Sequence, residues 1–257
     1  MIAVSSLFFW EYGIVEILDI LREIGIKAIE FFPENPDFWD NRFNEDYLKE
    51  VEKEIKKFKV SVHCPHIELN PCSFNHHIRE ICIKETLWSL ELAERFKAKI
   101  LTIHPGKRPV NREPTEEEHE HLKNYLKAIK ERENKVKICL ENMPKKINRL
   151  CWHPKEVKFY SETFNIPITL DFAHAKHYVK DFIELDVGHI HISGVCNGKD
   201  HFPLKESEIN FIPYLEKILD RKYRGIITLE LDDRRIKRHD KEYKIEVILK
   251  DLELLDI

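Results

Sequence analysis

The chain of 257 residues has no surplus of positive charge, no CxxC pair, no glycine-rich phosphate loop and no long apolar run, and each absence removes a class of protein. Lys and Arg number 42 against 46 Asp and Glu, a net charge of -4, so the basic excess with which proteins grip duplex nucleic acid through its phosphates is missing. The six cysteines (Cys64, Cys72, Cys82, Cys139, Cys151, Cys196) show no spacing of a zinc ribbon or a thioredoxin-like site, and they read as reduced thiols. The opening MIAVSSLFFWEYGIVEILDI meets Glu11, Glu16 and Asp19 before an apolar run develops and has no basic leader, so it reads as neither signal peptide nor membrane span. A cytoplasmic protein is expected. No Gly/Ser/Pro-rich linker interrupts residues 1–257, which predicts a single domain. Only two methionines, with 34% charged residues rich in Lys and Glu, match the composition of heat-adapted proteins.

What is present is rhythm. Short apolar or β-branched runs recur as IAVSS (2–6), KAIEFF (27–32), KVSVHCP (59–65), AKILTIHPG (98–106), VKICLENMP (136–144), IPITLDFAH (166–174), HIHISG (189–194) and GIITLELD (225–232). Stretches of helical period separate them, including VEILDILREIG, EDYLKEVEKEIKKF, ICIKETLWSLELAERF, TEEEHEHLKNYLKAIKE and INFIPYLEKILD. Thr115 with Glu118 forms a capping-box signal, and Gly25 stands where a helix C-cap belongs. Each parallel strand needs a crossover helix to reach the next, so eight strand–helix alternations predict a (β/α)8 TIM barrel. An open doubly wound sheet is the competitor, but SSLFFWEYG after the first run carries no GxGxxG.

Polar residues interrupt those apolar runs at or near their C-terminal ends: His63, His104, Glu141, Asp171 with His174, His191, and Glu230. In a barrel all such ends meet at one rim, where active sites are built, so residues scattered along the chain are expected to converge. A lone strand histidine is ordinarily a hydrogen-bonded, partly buried residue. A carboxylate after KICL is harder to set aside, because burying it without a cation costs several kcal/mol. A divalent metal compensates clustered carboxylates and uses neutral imidazoles, giving all six strands one cause. His76, His77, His119, His121, His153 and His239 lie in helical or polar connecting segments and read as solvated or structural, while His66 and His177 are near enough to the rim to remain open. His189, two residues before His191, points to the same strand face and is expected behind the ligands.

Taken in order, SVHCPHIELN, LTIHPG, CLEN, DFAHA, HIHISG, KDHFPL and LELDD resemble the xylose isomerase-like TIM-barrel superfamily, which includes endonuclease IV and sugar isomerases and epimerases. The resemblance runs from about residue 60 to 232. By its motifs the endonuclease IV branch, with a three-zinc site, implies metal ligation by His63, His104, Glu141, Asp171, His174, His191, His201 and Glu230. That branch has Asp-x-His in the loop after the seventh strand; here Lys199 stands at the aspartate position, and only a one-residue shift brings Asp200 into its place. DHFPL after HISG also resembles cobamide-remodelling phosphodiesterases of the same superfamily.

Two chemistries follow from the resemblance. A phosphoester hydrolase uses up to three Zn²⁺ or Mn²⁺ ions, and the histidines beyond a one-metal set favour it. A sugar isomerase or epimerase uses one ion on Glu141, Asp171, His191 and Glu230, with Glu141 and Glu230 as the acid–base pair. Lys199, Asp200 and His189 are secondary candidates for substrate contact. A metal-free binding barrel leaves the strand-end acids and imidazoles without a reason. The acidic balance, with no Arg/aromatic-rich loop, favours a small substrate, sugar or phosphorylated, over nucleic acid.

Overall fold

The structure, a computed structural model, describes residues 1–132 and 135–255. The eight expected strands form β1 (Ile2–Ser5), β2 (Ala28–Phe31), β3 (Lys59–His63), β4 (Ile100–Ile103), β5 (Lys137–Glu141), β6 (Ile168–Asp171), β7 (Val187–Ile192) and β10 (Ile227–Leu229), with a short pair, β8 (Gly194–Cys196) and β9 (Lys199–Phe202), before the last. The eight are parallel and follow the strand order of a closed (β/α)8 barrel. Four are buried along their whole length and the other four along all but their first residue, as strands covered on both faces must be, and this is why they read as apolar runs rather than alternations.

Contacts gather the chain into two compact units, Met1–Val60 with Ile190–Ile257, and Ser61–His189. In the first unit β1 lies between β2 and β10, and β10 pairs in turn with β7, in a register that sets Thr228 beside His191 and Ser5 beside Glu30. Helix Ile14–Glu23 buries Ile14, Ile17, Leu18 and Leu21, spaced i, i+3, i+4, i+7 on one stripe. It stops at Gly25, whose φ of +81° continues the chain in a left-handed turn while Ile26 N donates to Leu21 O at 2.9 Å. In helix Lys241–Leu254, Lys244 is fully buried, with its ammonium 2.7 Å from Glu11 Oε2 and within 6 Å of the Phe8, Phe9 and Tyr12 ring centres.

In the second unit β4 pairs with β3 and β5, and β5 with β6. Helices His76–Arg95 and Glu116–Lys130 follow β3 and β4. The capping signal holds, since Thr115 N donates to Glu118 Oε2 at 2.7 Å. Helix Pro154–Phe164, not among the expected periodic stretches, begins with Pro154 in its first turn, where a missing N–H costs nothing.

The segment after β7 differs from the expected loop. It folds as an antiparallel hairpin, β8–β9, turned by Asn197 (φ 49°) and Gly198 (φ 69°), the Asn-Gly pair that a type I′ turn favours. Among the described residues, no helix is long and apolar enough to cross a membrane.

Candidate metal centre

The second unit brings five of the expected ligands together at its strand ends. Glu141 closes β5 at 1% exposure. Its Oε2 faces His63 Nε2 at 3.4 Å and His104 Nε2 at 3.0 Å, while Oε1 faces His174 Nδ1 at 3.1 Å. His63 comes from the end of β3, and its Nδ1 lies 2.8 Å from the Cys64 carbonyl. A carbonyl accepts only an N–H, so this contact fixes the tautomer and turns the lone pair of Nε2 toward Glu141. Burial lowers the His104 imidazole to about 4, with Glu141 opposing and His63 and Arg149 adding to the shift, so the ring is neutral at pH 7 and able to ligate.

Asn142 explains why Glu141 and Asp171 stand together. Its Oδ1 accepts from Asp171 N at 2.8 Å and its Nδ2 donates to Asp171 O at 2.9 Å, clamping the ends of β5 and β6. Asp171 Oδ1 then accepts from His174 N at 2.7 Å, an N-cap bond that starts the turn Phe172–Ala175 and delivers His174. His174 Nδ1 meets Asn142 O at 3.0 Å and Asp171 Oδ2 at 3.5 Å.

A second constellation occupies the strand ends of the first unit. His191 is fully buried on β7, with Nδ1 3.0 Å from Glu230 Oε2 and Nε2 2.9 Å from Glu30 Oε2. Glu30, on β2 and 0% exposed, escaped the sequence reading. Its signal was the one that marked Glu141, an acid inside an apolar run. A carboxylate that takes the proton of one ring nitrogen leaves the other with a lone pair for a metal, and it raises the basicity of that ligand. His201 comes from β9 with Nδ1 3.6 Å from Glu230 Oε2, 3.2 Å from Glu230 O and 3.4 Å from Ser193 Oγ. Its φ of 62° is a left-handed conformation, held at the hairpin by Asp232 N donating to its carbonyl at 3.1 Å.

The remaining candidates separate from these groups. Asp200 turns its Oδ1 to Arg235 Nη2 at 3.6 Å, so the one-residue shift that makes it a ligand meets a competing cation. Lys199 is exposed on the hairpin, and His189 is buried within β7. His66 lies beside two of the expected ligands, with its ring 5.1 Å from that of His63 and 4.3 Å from that of His104, whereas His177 is exposed. His76, His77 and His239 are also exposed, and His119 bonds Tyr160 OH at 2.7 Å. Sequence reasoning also passed over a cavity of about 160 Å³ in the second unit, lined by His66, Thr86, His104, Lys107, Tyr125 and Arg149 among others. Two loops meet beside it: Lys107 and Arg149, both in its lining, form an antiparallel bridge, and Arg108 N donates to Asn148 O at 2.8 Å.

Known proteins give this arrangement its context. The chain is 55% identical over 264 residues to the protein MJ1188 of Methanocaldococcus jannaschii, covering 99% of this chain and 98% of that one. It is 27% identical over 168 residues to a probable endonuclease 4 of Thermosipho melanesiensis, covering 60% of this chain and 57% of the relative. A D-tagatose 3-epimerase-like protein superposes with a TM-score of 0.76 at 22% identity, covering 99% and 98% of the two chains, a likeness of fold. The family model of the xylose isomerase-like TIM barrel matches residues 18–254, and the chain belongs to that family.

Proposed function

We propose that the protein is a divalent-metal-dependent phosphoester hydrolase for a small phosphorylated substrate, acting as a single domain over residues 1–257. His63, His104, Glu141, Asp171 and His174 hold metal at the ends of β3 to β6, and His191, His201 and Glu230 at the ends of β7, β9 and β10. One observation carries the reading: Glu141 receives His63 and His104 on one carboxylate oxygen and His174 on the other. A carboxylate so flanked would hold metal together with those three imidazoles, and a one-metal sugar enzyme has little use for the imidazoles of β3 and β4. Buried acids with neutral imidazoles are a donor set for Zn²⁺ or Mn²⁺. Such ions, when bound, supply Lewis acidity and a nucleophile at neutral pH.

The protein's own side chains account for the rest. Lys107 and Arg149 set positive charge in the lining of the 160 Å³ cavity that His104 also lines. Burial and then Arg149 lower the Lys107 ammonium. A phosphoryl group fits such a lining, since Arg presents paired donors and Lys a point charge. Glu30 holds the His191 ring and Asn142 holds the Asp171 backbone, so neither ligand needs to reorganise when substrate arrives.

The test is turnover of Zn²⁺- or Mn²⁺-loaded protein on phosphodiesters, phosphomonoesters and ketoses. Phosphoester hydrolysis is expected, lost in Glu141→Gln with the fold unchanged by circular dichroism. Replacing both His63 and His104 by Ala should cost about 3 kcal/mol of transition-state stabilisation, more than a hundredfold in rate. Ketose epimerisation at one metal per chain, little changed in that double variant, overturns the reading. It would instead support an isomerase or epimerase on Glu141, Asp171, His191 and Glu230, the alternative toward which the name of the tagatose epimerase-like neighbour points. A metal-free binding protein remains the weakest reading, because it gives the buried acids no compensating cation.

A further inference from the structure

Arg149 lines two spaces at once, the cavity that His104 also lines and a wider groove of about 640 Å³ along the loop between β5 and helix Pro154–Phe164. The groove has the size of a small-molecule site, roughly 300–1,000 Å³, and the cavity alone does not. Its loop is closed at the base, where Met143 N donates to Cys151 O at 2.9 Å, and turned at the tip, where Arg149 N donates to Lys146 O at 3.1 Å. Cys151 is fully buried at φ 58°, a left-handed conformation that a non-glycine residue keeps only when its surroundings hold it; here Glu156 Oε2 accepts from its N–H at 2.8 Å. Lys145, Lys146 and Arg149 therefore stand on a fixed frame, and the chain leaves that frame at Trp152. The Trp152 ring packs edge to face against His153 and Tyr178, with centres 5.3 and 6.1 Å away, and Lys145 Nζ lies 4.8 Å from its own centre. Trp152, Lys145, Lys146 and Arg149 all line the groove, so this ring face meets it under an exposed lysine that a ligand can displace.

We propose that this groove is a subsite for a flat heteroaromatic group carried on the substrate's phosphate, with the ring stacked on Trp152 and the phosphate among Lys107, Lys146 and Arg149, so that the substrate is nucleotide-like. The proposal rests on the phosphoester reading above, whose substrate class it names. Lys123 and Lys205 pair with carboxylates, whereas Lys107, Lys145 and Lys146 make no ion pair among the described residues. Two carboxylates share the groove. Glu156 is engaged by the Cys151 N–H, and burial pushes it up to about 7, so at neutral pH it opposes the cations only in part; Glu113 is exposed. The bridge between Lys107 and Arg149 places the cations beside the cavity, and the Trp152 ring places a π-face farther along the same loop. Any heterocycle can stack on such a face, because stacking depends on a flat π-system more than on a hydrogen-bond pattern. A ketose brings neither a flat ring nor an anion, and a sugar phosphate uses the cations but leaves Trp152 idle.

The experiment measures binding by calorimetry to the full Zn²⁺-loaded chain, with AMP, GMP, CMP and UMP as probes and ribose 5-phosphate and the four nucleosides as their two halves. The best nucleoside monophosphate should bind about tenfold or more tightly than ribose 5-phosphate, the contribution expected of one stacked base. Trp152→Ala should remove that difference by weakening the nucleotide about tenfold while leaving ribose 5-phosphate unchanged. Lys146→Ala should weaken nucleotide and ribose 5-phosphate by the same factor and leave the nucleosides alone. Lys146 is exposed, and Trp152→Leu keeps the wall filled, so folded variants are available if Trp152→Ala does not fold. Equal binding of nucleotides and ribose 5-phosphate, or nucleotide binding unchanged in a folded Trp152 variant, overturns the subsite and leaves the hydrolase reading standing. A single-stranded oligonucleotide that binds where no mononucleotide does makes the groove a nucleic-acid surface and also overturns it. Nucleotide binding in the expected pattern by a protein that hydrolyses no phosphoester keeps the subsite and overturns the hydrolase reading.

Discussion

Glu30 binds the proton side of the His191 imidazole, and its worth lies in what it does to the other nitrogen. With Nε2 2.9 Å from a fully buried carboxylate the ring is oriented, and under the proposed function a proton held on that side leaves Nδ1, 3.0 Å from Glu230, its lone pair for a metal. Glu30→Gln keeps the shape and removes the charge. It is expected to weaken metal affinity by about 10- to 100-fold while the protein stays folded, measured by titration with Zn²⁺ and a competing chelator. Equal affinity in the two proteins would refute the role. At this scale the sequence was legible where an acid or imidazole broke a long run, as Glu141 and His191 do. It was illegible at Glu30, because KAIEFF is short and an acid near its end reads as the polar border of a strand. His66 stayed open because it lies beyond the strand, where only tertiary structure decides the direction of a ring.

The β8–β9 hairpin shows how an element delivers a proposed ligand, His201. Asn197 and Gly198 set its turn, and Gly194 lets it lie against the following chain, where an added Cβ would come 2.3 Å from the Pro203 carbonyl oxygen. Backbone cannot yield as a side chain does, so Gly194→Ala must move the hairpin and with it His201. The expected result is a loss of roughly 2 kcal/mol in stability, read from denaturant unfolding, together with weaker metal retention. Gly198→Ala faces open space and strains only its own φ, so it should cost less. In the sequence this segment reads as a loop although Asn-Gly marks a hairpin, because strands of three and four residues are too short to show an alternation. Helix Lys241–Leu254 went unread for a different reason: Lys244 and Asp251 are both fully buried on its inward face, so charge and apolarity do not divide into two stripes.

At the scale of the whole chain, the barrel was the most legible feature, since eight buried strands and their crossover helices repeat one period that no single misread element can conceal. The proposed metal links that architecture to stability, because an ion bound only by the folded state stabilises it by mass action. Exhaustive chelation should lower the melting temperature, and Zn²⁺ should restore it in proportion to the logarithm of its concentration above saturation. A melting curve indifferent to chelator and to added metal would argue against ligands that act together. The composition of the first compact unit has a further consequence, in time. Residues 61–189 are contiguous and emerge from the ribosome as one piece, whereas the other unit joins the first sixty residues to those from 190 onward. β1 ends at Ser5 and its partner β10 begins at Ile227, so one edge of β1 waits roughly 10 to 45 s, at ordinary rates of synthesis, for its neighbour. Glu11 and Lys244 keep the same appointment across a still longer interval. The nascent chain therefore carries β1 paired with β2 on one side and open on the other until residues 227–229 have been made, and during that interval the open edge is exposed to mispairing.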